Sequence, residues 1–208
     1  MKRRRLLEIL VALAVLVLLL AVLLVRPTGR PSAPPGDVDD GGDASQALFH
    51  PVPGAPPDFA AGGFQVVSAT APDGARTAVL YPVEFEMPAD LYLVTGPGEG
   101  VRFELADSIR ATLTPKNVGW LDDERLWVTL GHVYGTVSPG GELWAVDPGD
   151  GSARRLWASP DSGRTQAVGA ERGEAGRGIM VRLKAFDENM QTARDSVARL
   201  GAGSRQTR

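Results

Sequence analysis

Outside the aspartate-rich stretch at 37–43, the densest group of side chains able to do acid–base chemistry in this 208-residue chain is Asp122-Asp123-Glu124. Two carboxylates flanking a sugar linkage can hydrolyse it, one as acid and the other as base or nucleophile. Adjacent strand residues point to opposite faces, however, and this trio falls where the pattern reads as a turn, so a solvated turn is expected. The two histidines, His50 and His132, have no Cys or second His at metal-ligand spacing, which argues against zinc or copper. Asp37, Asp39, Asp40 and Asp43 start like a calcium loop, but Gly41 takes the third ligand position and Leu48 stands where the twelfth-position Glu belongs. Cysteine is absent and no Gly-x-Ser-x-Gly elbow occurs, so nucleophilic catalysis has no recognisable machinery. The glycine clusters lie between strands rather than ahead of a helix, which leaves no phosphate cradle. Catalytic, cofactor-binding and metal residues are all expected to be none. Trp120, Trp127, Trp144 and Trp157 could stack on a carbohydrate, but each fits an apolar strand position, and packing is the expected use.

The elements that would carry these residues begin with an apolar run. Residues 6–25 are interrupted only by Glu8, and at about 1.5 Å per residue they can cross a hydrocarbon core of roughly 30 Å. Lys2, Arg3, Arg4 and Arg5 precede the run, so the N-terminus is expected in the cytoplasm and the remainder outside. Glu8 lies in the first turn, within reach of the headgroups. A cleaved signal peptide would share the basic start, but Val25-Arg26-Pro27 follows the run and is a poor cleavage site, so a retained signal-anchor is expected. The net charge of −3 and the scattered basic residues exclude a nucleic-acid surface.

Residues 27–63 are rich in Pro, Gly, Ala and Asp and bury too little to offset their ordering entropy, so they read as a disordered tether. From residue 64 onward, short runs of Val, Leu, Phe, Tyr and Trp alternate with Gly, Pro and Asp clusters. That pattern predicts strands at 64–68, 76–85, 91–94, 101–105, 117–120, 125–130, 143–146 and 154–157. The chain also repeats itself. Asp90-Leu91-Tyr92-Leu93-Val94 matches Glu142-Leu143-Trp144-Ala145-Val146 at an offset of 52, and Pro72-Asp73-Gly74-Ala75-Arg76 matches Leu121-Asp122-Asp123-Glu124-Arg125 at 49.

Each unit therefore reads as a four-stranded antiparallel meander of about 45–50 residues, the size of a propeller blade. With its Pro-Asp-Gly turn, the acidic residue opening Leu-Tyr or Leu-Trp, and the Asp147-Pro148-Gly149-Asp150-Gly151 hairpin, the stretch 64–157 resembles the TolB-type β-propeller repeat. The resemblance implies a mainly β fold that works through interaction surfaces. Two units and half of a third, at 166–186, cannot close a propeller of about four to eight blades, so a small sandwich or an open stack with free edges is expected. Beyond residue 186, Met190, Ala193, Val197 and Leu200 recur at helical spacing behind Asp187 as N-cap, which predicts a short helix and a frayed tail over 188–208. The predicted organisation is an anchor at 1–26, a tether at 27–63, an extracytoplasmic β domain at 64–187, then that helix. The expected role is non-catalytic binding in the cell envelope, with the bilayer held by residues 6–25 and a protein partner or second copy held by β edges. An anchored carbohydrate-active hydrolase or sugar-binding protein, and a partner-dependent fragment of a larger propeller, are the alternatives.

Overall fold

A computed structural model describes residues 46–84, 86–134 and 138–201. The predicted anchor at 6–25, its flanking charges, the four aspartates at 37–43 and the tether up to residue 45 lie outside those residues. Among the described residues no helix is long and apolar enough to cross a membrane.

The fold is mainly β, with three antiparallel sheets that do not close into a barrel. Strands β3 (Val67–Thr70), β4 (Thr77–Tyr81), β5 (Asp90–Gly96) and β6 (Glu99–Leu105) form one meander. A single helical turn, α1 (Asp107–Arg110), leads into a second meander of β7 (Leu113–Trp120), β8 (Leu126–His132), β9 (Glu142–Val146) and β10 (Ser152–Trp157). The third sheet holds β11 (Thr165–Arg172), β12 (Ile179–Phe186) and β13 (Ala193–Leu200). Every strand expected from the alternation between residues 64 and 157 is present, with ends displaced by a few residues.

The second sheet is the middle layer, because its side chains serve two cores in alternation. Leu126, Val128 and Leu130 of β8 pack with Leu80, Leu91 and Phe103 of the first sheet. Trp127, between them, points the other way and packs with Leu156, Val181 and Leu183 against the third. A strand covered on both faces reads as a continuous apolar run, which is how Leu126-Trp127-Val128 appears in the sequence.

Two expectations are corrected. Composition placed residues 46–63 in the tether, but β1 (Gln46–Ala47) pairs with β10 and β2 (Phe49–Val52) pairs with β6. This short strap therefore joins the outer edges of two sheets, and Leu48 and Phe49 are each only 1% exposed between them. A bulk composition argument averages over such a segment, whereas two unpaired outer strands and an apolar gap reward ordering it. The described β domain begins at residue 46, not 64. The second correction concerns 188–201, where β13 pairs with β12 across eight residues in unbroken register from Ile179↔Leu200 to Phe186↔Ala193. Asp187 does bind backbone N–H groups, as an N-cap would, but those of Gln191 at 2.9 Å and Thr192 at 3.3 Å, which closes a hairpin loop instead of opening a helix.

Candidate functional site

The residues singled out for chemistry are dispersed. Asp122 and Asp123 lie in the β7–β8 turn as expected, and their carboxylates are committed to structure. Burial of Asp122 opposes its ionisation, but hydrogen bonds from the Arg125 side chain and from backbone N–H groups outweigh that and hold its carboxyl below the usual range. Arg125 stands 2.6 Å from it and Arg172, from the third sheet, 3.1 Å. Asp123 Oδ1 accepts from the Asp73 backbone N–H at 2.9 Å, so turns 50 residues apart in the chain are bound together. His132 is the exposed last residue of β8 and not a loop residue, and His50 is exposed on β2. Among the described residues no group of three or more His, Cys, Asp or Glu is placed to hold a metal. Trp127, Trp144 and Trp157 are buried in the cores, as packing requires, and half-buried Trp120 donates to the Ala69 carbonyl at 2.9 Å.

The acidic residue that opens the third strand of each meander has a structural role. Tyr92 is directly opposite Arg102, and Trp144 directly opposite Arg155. The same arginines approach Asp90 at 3.7 Å and Glu142 at 3.4 Å. Asp90 is the more buried acid, and Arg110 from α1 also reaches Oδ1 at 2.9 Å. Burial pushes the Asp90 carboxyl up against the opposing pull of Arg110 and Arg102. A carboxyl with a folded-state pKa above its unfolded value favours folding when protonated. Its contribution is fully present below the unfolded pKa and is lost as pH rises through the folded one. Relative to Asp90→Asn, the parent protein is therefore expected to lose stability over the window that opens above about pH 4, the unfolded-state value. Thermal melts of both proteins across that window check this, and a constant difference would contradict it.

Two clefts open where the longer loops gather. One of about 350 Å³ lies between the second and third sheets, lined by His132, Ser138, Glu142, Ser159 and Gln166. Its floor is rigid, since Gln166 accepts from Ser138 Oγ at 2.9 Å and donates to the Gly163 carbonyl at 3.0 Å. The other, of about 400 Å³, is lined by Gln65, Glu84, Lys116 and Asn117. Burial lowers the pKa of the Lys116 amine there.

The strand edges differ far more than the clefts do. An unpaired edge invites pairing with another chain, and proteins blunt such edges by shortness, proline, bulges or inward charge. Edge strand β1 has two residues, β2 has four including Pro51, and β3 has four. The β7 ladder is bulged between Pro115 and Asn117, with Lys116 at the bulge, and the β11 ladder is bulged between Ala167 and Gly169. Strand β13 has eight residues, no proline and no shift of register, and Arg194 alone of its charges shares the core-facing parity of Ala198 and Leu200. Among the described residues it is also where its sheet stops, one strand short of the four that each other meander contains.

The faces of the stack differ in the same way. On the far face of the first sheet, Phe59 packs edge-on against Tyr81 at 5.3 Å and Tyr92 at 5.4 Å. In the third sheet, a groove of about 430 Å³ is lined by Val168, Arg182, Lys184, Asp195 and Val197. Val197 is 59% exposed. The residues of this edge were not legible as a site in the sequence, because helical spacing claimed them. The available signal was the alternation of Asp195, Val197 and Arg199, a strand pattern bounded by the Asp187 turn.

The family model of a domain of unknown function, DUF4652, matches residues 99–195, a span that runs from β6 into β13. No curated protein matches the sequence. Among solved structures, the crystal structure of a "putative conserved lipoprotein" from Clostridium novyi NT has a TM-score of 0.61 to this chain at 21% identity. The match covers 76% of this chain and 99% of that one. At that identity the likeness is one of fold.

Proposed function

We propose that this chain is a membrane-anchored, extracytoplasmic β module of the cell envelope. It binds a protein without catalysis, by accepting a strand of that protein along the free edge of β13. The observation that carries the reading is the contrast among edges: β13 alone among the described edge strands is long, unbulged and free of proline. Strand addition draws affinity from main-chain hydrogen bonds and specificity from alternate side chains, and an edge of this kind supplies both.

The location rests on the apolar run 6–25 behind four basic residues and on the name lipoprotein borne by the structural neighbour. This sequence has no cysteine to carry a lipid, so the apolar segment itself is the proposed anchor. We also read the two meanders as TolB-type blades in an open arc, supported by their shared strand order and by the hydrogen bond between turns 50 residues apart.

A photo-reactive residue placed at Val197 in the full-length protein and activated in intact cells is expected to give a discrete adduct. The same residue at Val101, also exposed at 39%, is expected to give none. Equal labelling at the two positions, or none at either, would remove the case for docking at β13.

A further inference from the structure

We infer that the strand added to β13 is β13 of a second copy of this chain, in an antiparallel register with Val197 opposite Val197. The inference rests on the proposal that β13 is a docking edge and names its occupant.

Antiparallel geometry restricts how an edge can pair with itself. Only every other residue turns its N–H and C=O outward, so residues that face each other must share that parity. A two-fold axis then passes through a residue position, not between two of them. Isologous contacts of this kind close after two copies, which suits a finite assembly.

The side chains select which residue lies on the axis. Ala198 and Leu200 of β13 pack into the core against the second sheet. By alternation, Asp195, Val197 and Arg199 share the opposite face, and all three are exposed. With Val197 on the axis, Asp195 stands opposite Arg199 of the other copy, and by symmetry the ion pair forms twice around an apolar centre. With Ser196 on the axis, Asp195 faces Val197 and Arg199 faces Ala193, leaving both charges unmatched. With Asp195 on the axis, the carboxylate faces itself, and with Ala198 there, Arg199 faces Val197.

Opposite charges directly across a strand pair stabilise it and like charges oppose it. The Val197 register is therefore the one among these that gives Asp195 and Arg199 an opposite charge, while Arg194 falls across from Leu200 at the ends of the pair. The Asp195 side chain is 82% exposed and only 3.8 Å from Lys184, so it can take a second cation. Pairing would also extend the three-stranded sheet across both copies.

Because the chain has no cysteine, Val197→Cys introduces its only thiol, and the proposed axis sets that thiol against its own copy. In membranes holding the full-length protein, mild oxidation is expected to convert this variant to a reducible covalent dimer. Val101→Cys should stay at background. Adding Asp195→Arg to Val197→Cys sets Arg against Arg199 twice and should reduce cross-linking roughly fivefold or more. Adding Arg199→Asp as well restores opposite pairs and should recover the dimer, which a folding defect would not allow. Cross-linking of Val197→Cys no faster than Val101→Cys, or insensitivity to the charge reversals, would overturn self-pairing. If the photo-reactive residue at 197 captures a chain of different mass while Val197→Cys yields no dimer, docking at β13 stands and the second copy is excluded.

Discussion

Replacing Phe49 by Ala is expected to lower the unfolding free energy by about 3–5 kcal/mol, as large as any truncation of a core aromatic. The residue belongs to a segment whose composition suggests disorder, yet its ring is 1% exposed among Leu105, Phe103 and Val146 of the first core. Its backbone is held as firmly, pairing with Leu105 and donating from its N–H to the Gly151 carbonyl at 3.1 Å. Gly151 accepts that approach because it has no side chain: a Cβ there would lie 2.3 Å from the Phe49 oxygen, and its φ of +77° is one that suits glycine. Truncation to Ala leaves a cavity between two sheets that are fixed by their own ladders and cannot collapse onto it. His50→Ala, at the exposed neighbouring position, is expected to stay within about 0.5 kcal/mol of the parent. Denaturant unfolding of the solubilised full-length protein, followed by tryptophan fluorescence, reports both variants. A loss at Phe49 below about 1 kcal/mol would return residues 46–52 to the tether.

Gly141→Ala is expected to cost at least about 3 kcal/mol, although it adds a single methyl group. Gly141 exchanges two backbone hydrogen bonds with Ala167, at 3.0 and 2.8 Å, and so stitches the β8–β9 loop of the second sheet to β11 of the third. A Cβ at this position would stand 1.8 Å from the Leu130 carbonyl oxygen and 2.8 Å from the Gly131 Cα. Those are backbone atoms inside a paired ladder, so no side-chain rotation relieves the overlap. Either β8 shifts or the contact with Ala167 opens. Hydrogen exchange separates this from general unfolding: the Ala167 amide should lose protection ahead of the β8 amides. Gly201→Ala has open space around its Cβ and serves as the neutral control.

Legibility followed the range of the forces involved. The strands of the two meanders could be read from the residues because alternation, turn glycines and aspartates act within a few positions, and because the Asp90 and Glu142 segments repeat. The pairing of Arg102 with Tyr92 and of Arg155 with Trp144 belongs to the same repeat, but it becomes visible only when register is known. Residues 46–52 were not legible, since Leu48 and Phe49 carry no local periodicity and acquire their partners from residues 100 or more positions away as well as from nearby strands. Strand β13 was misread because Met190, Ala193, Val197 and Leu200 recur at helical spacing, whereas in the strand Val197 and Leu200 fall on opposite faces. Four apolar positions cannot separate the two periods, and pairing with β12 decided between them.

What the chain determined by itself was its class of structure: which segments extend, where they turn, and that one unit follows another with the same plan. Tertiary structure alone decided how many strands each sheet receives and which edge is left over. That outcome depends on long-range pairing, in which a strap from the N-terminal side completes two sheets and no described strand completes the third. An edge becomes a docking site only through what fails to cover it, and absence of a neighbour has no signature in local sequence.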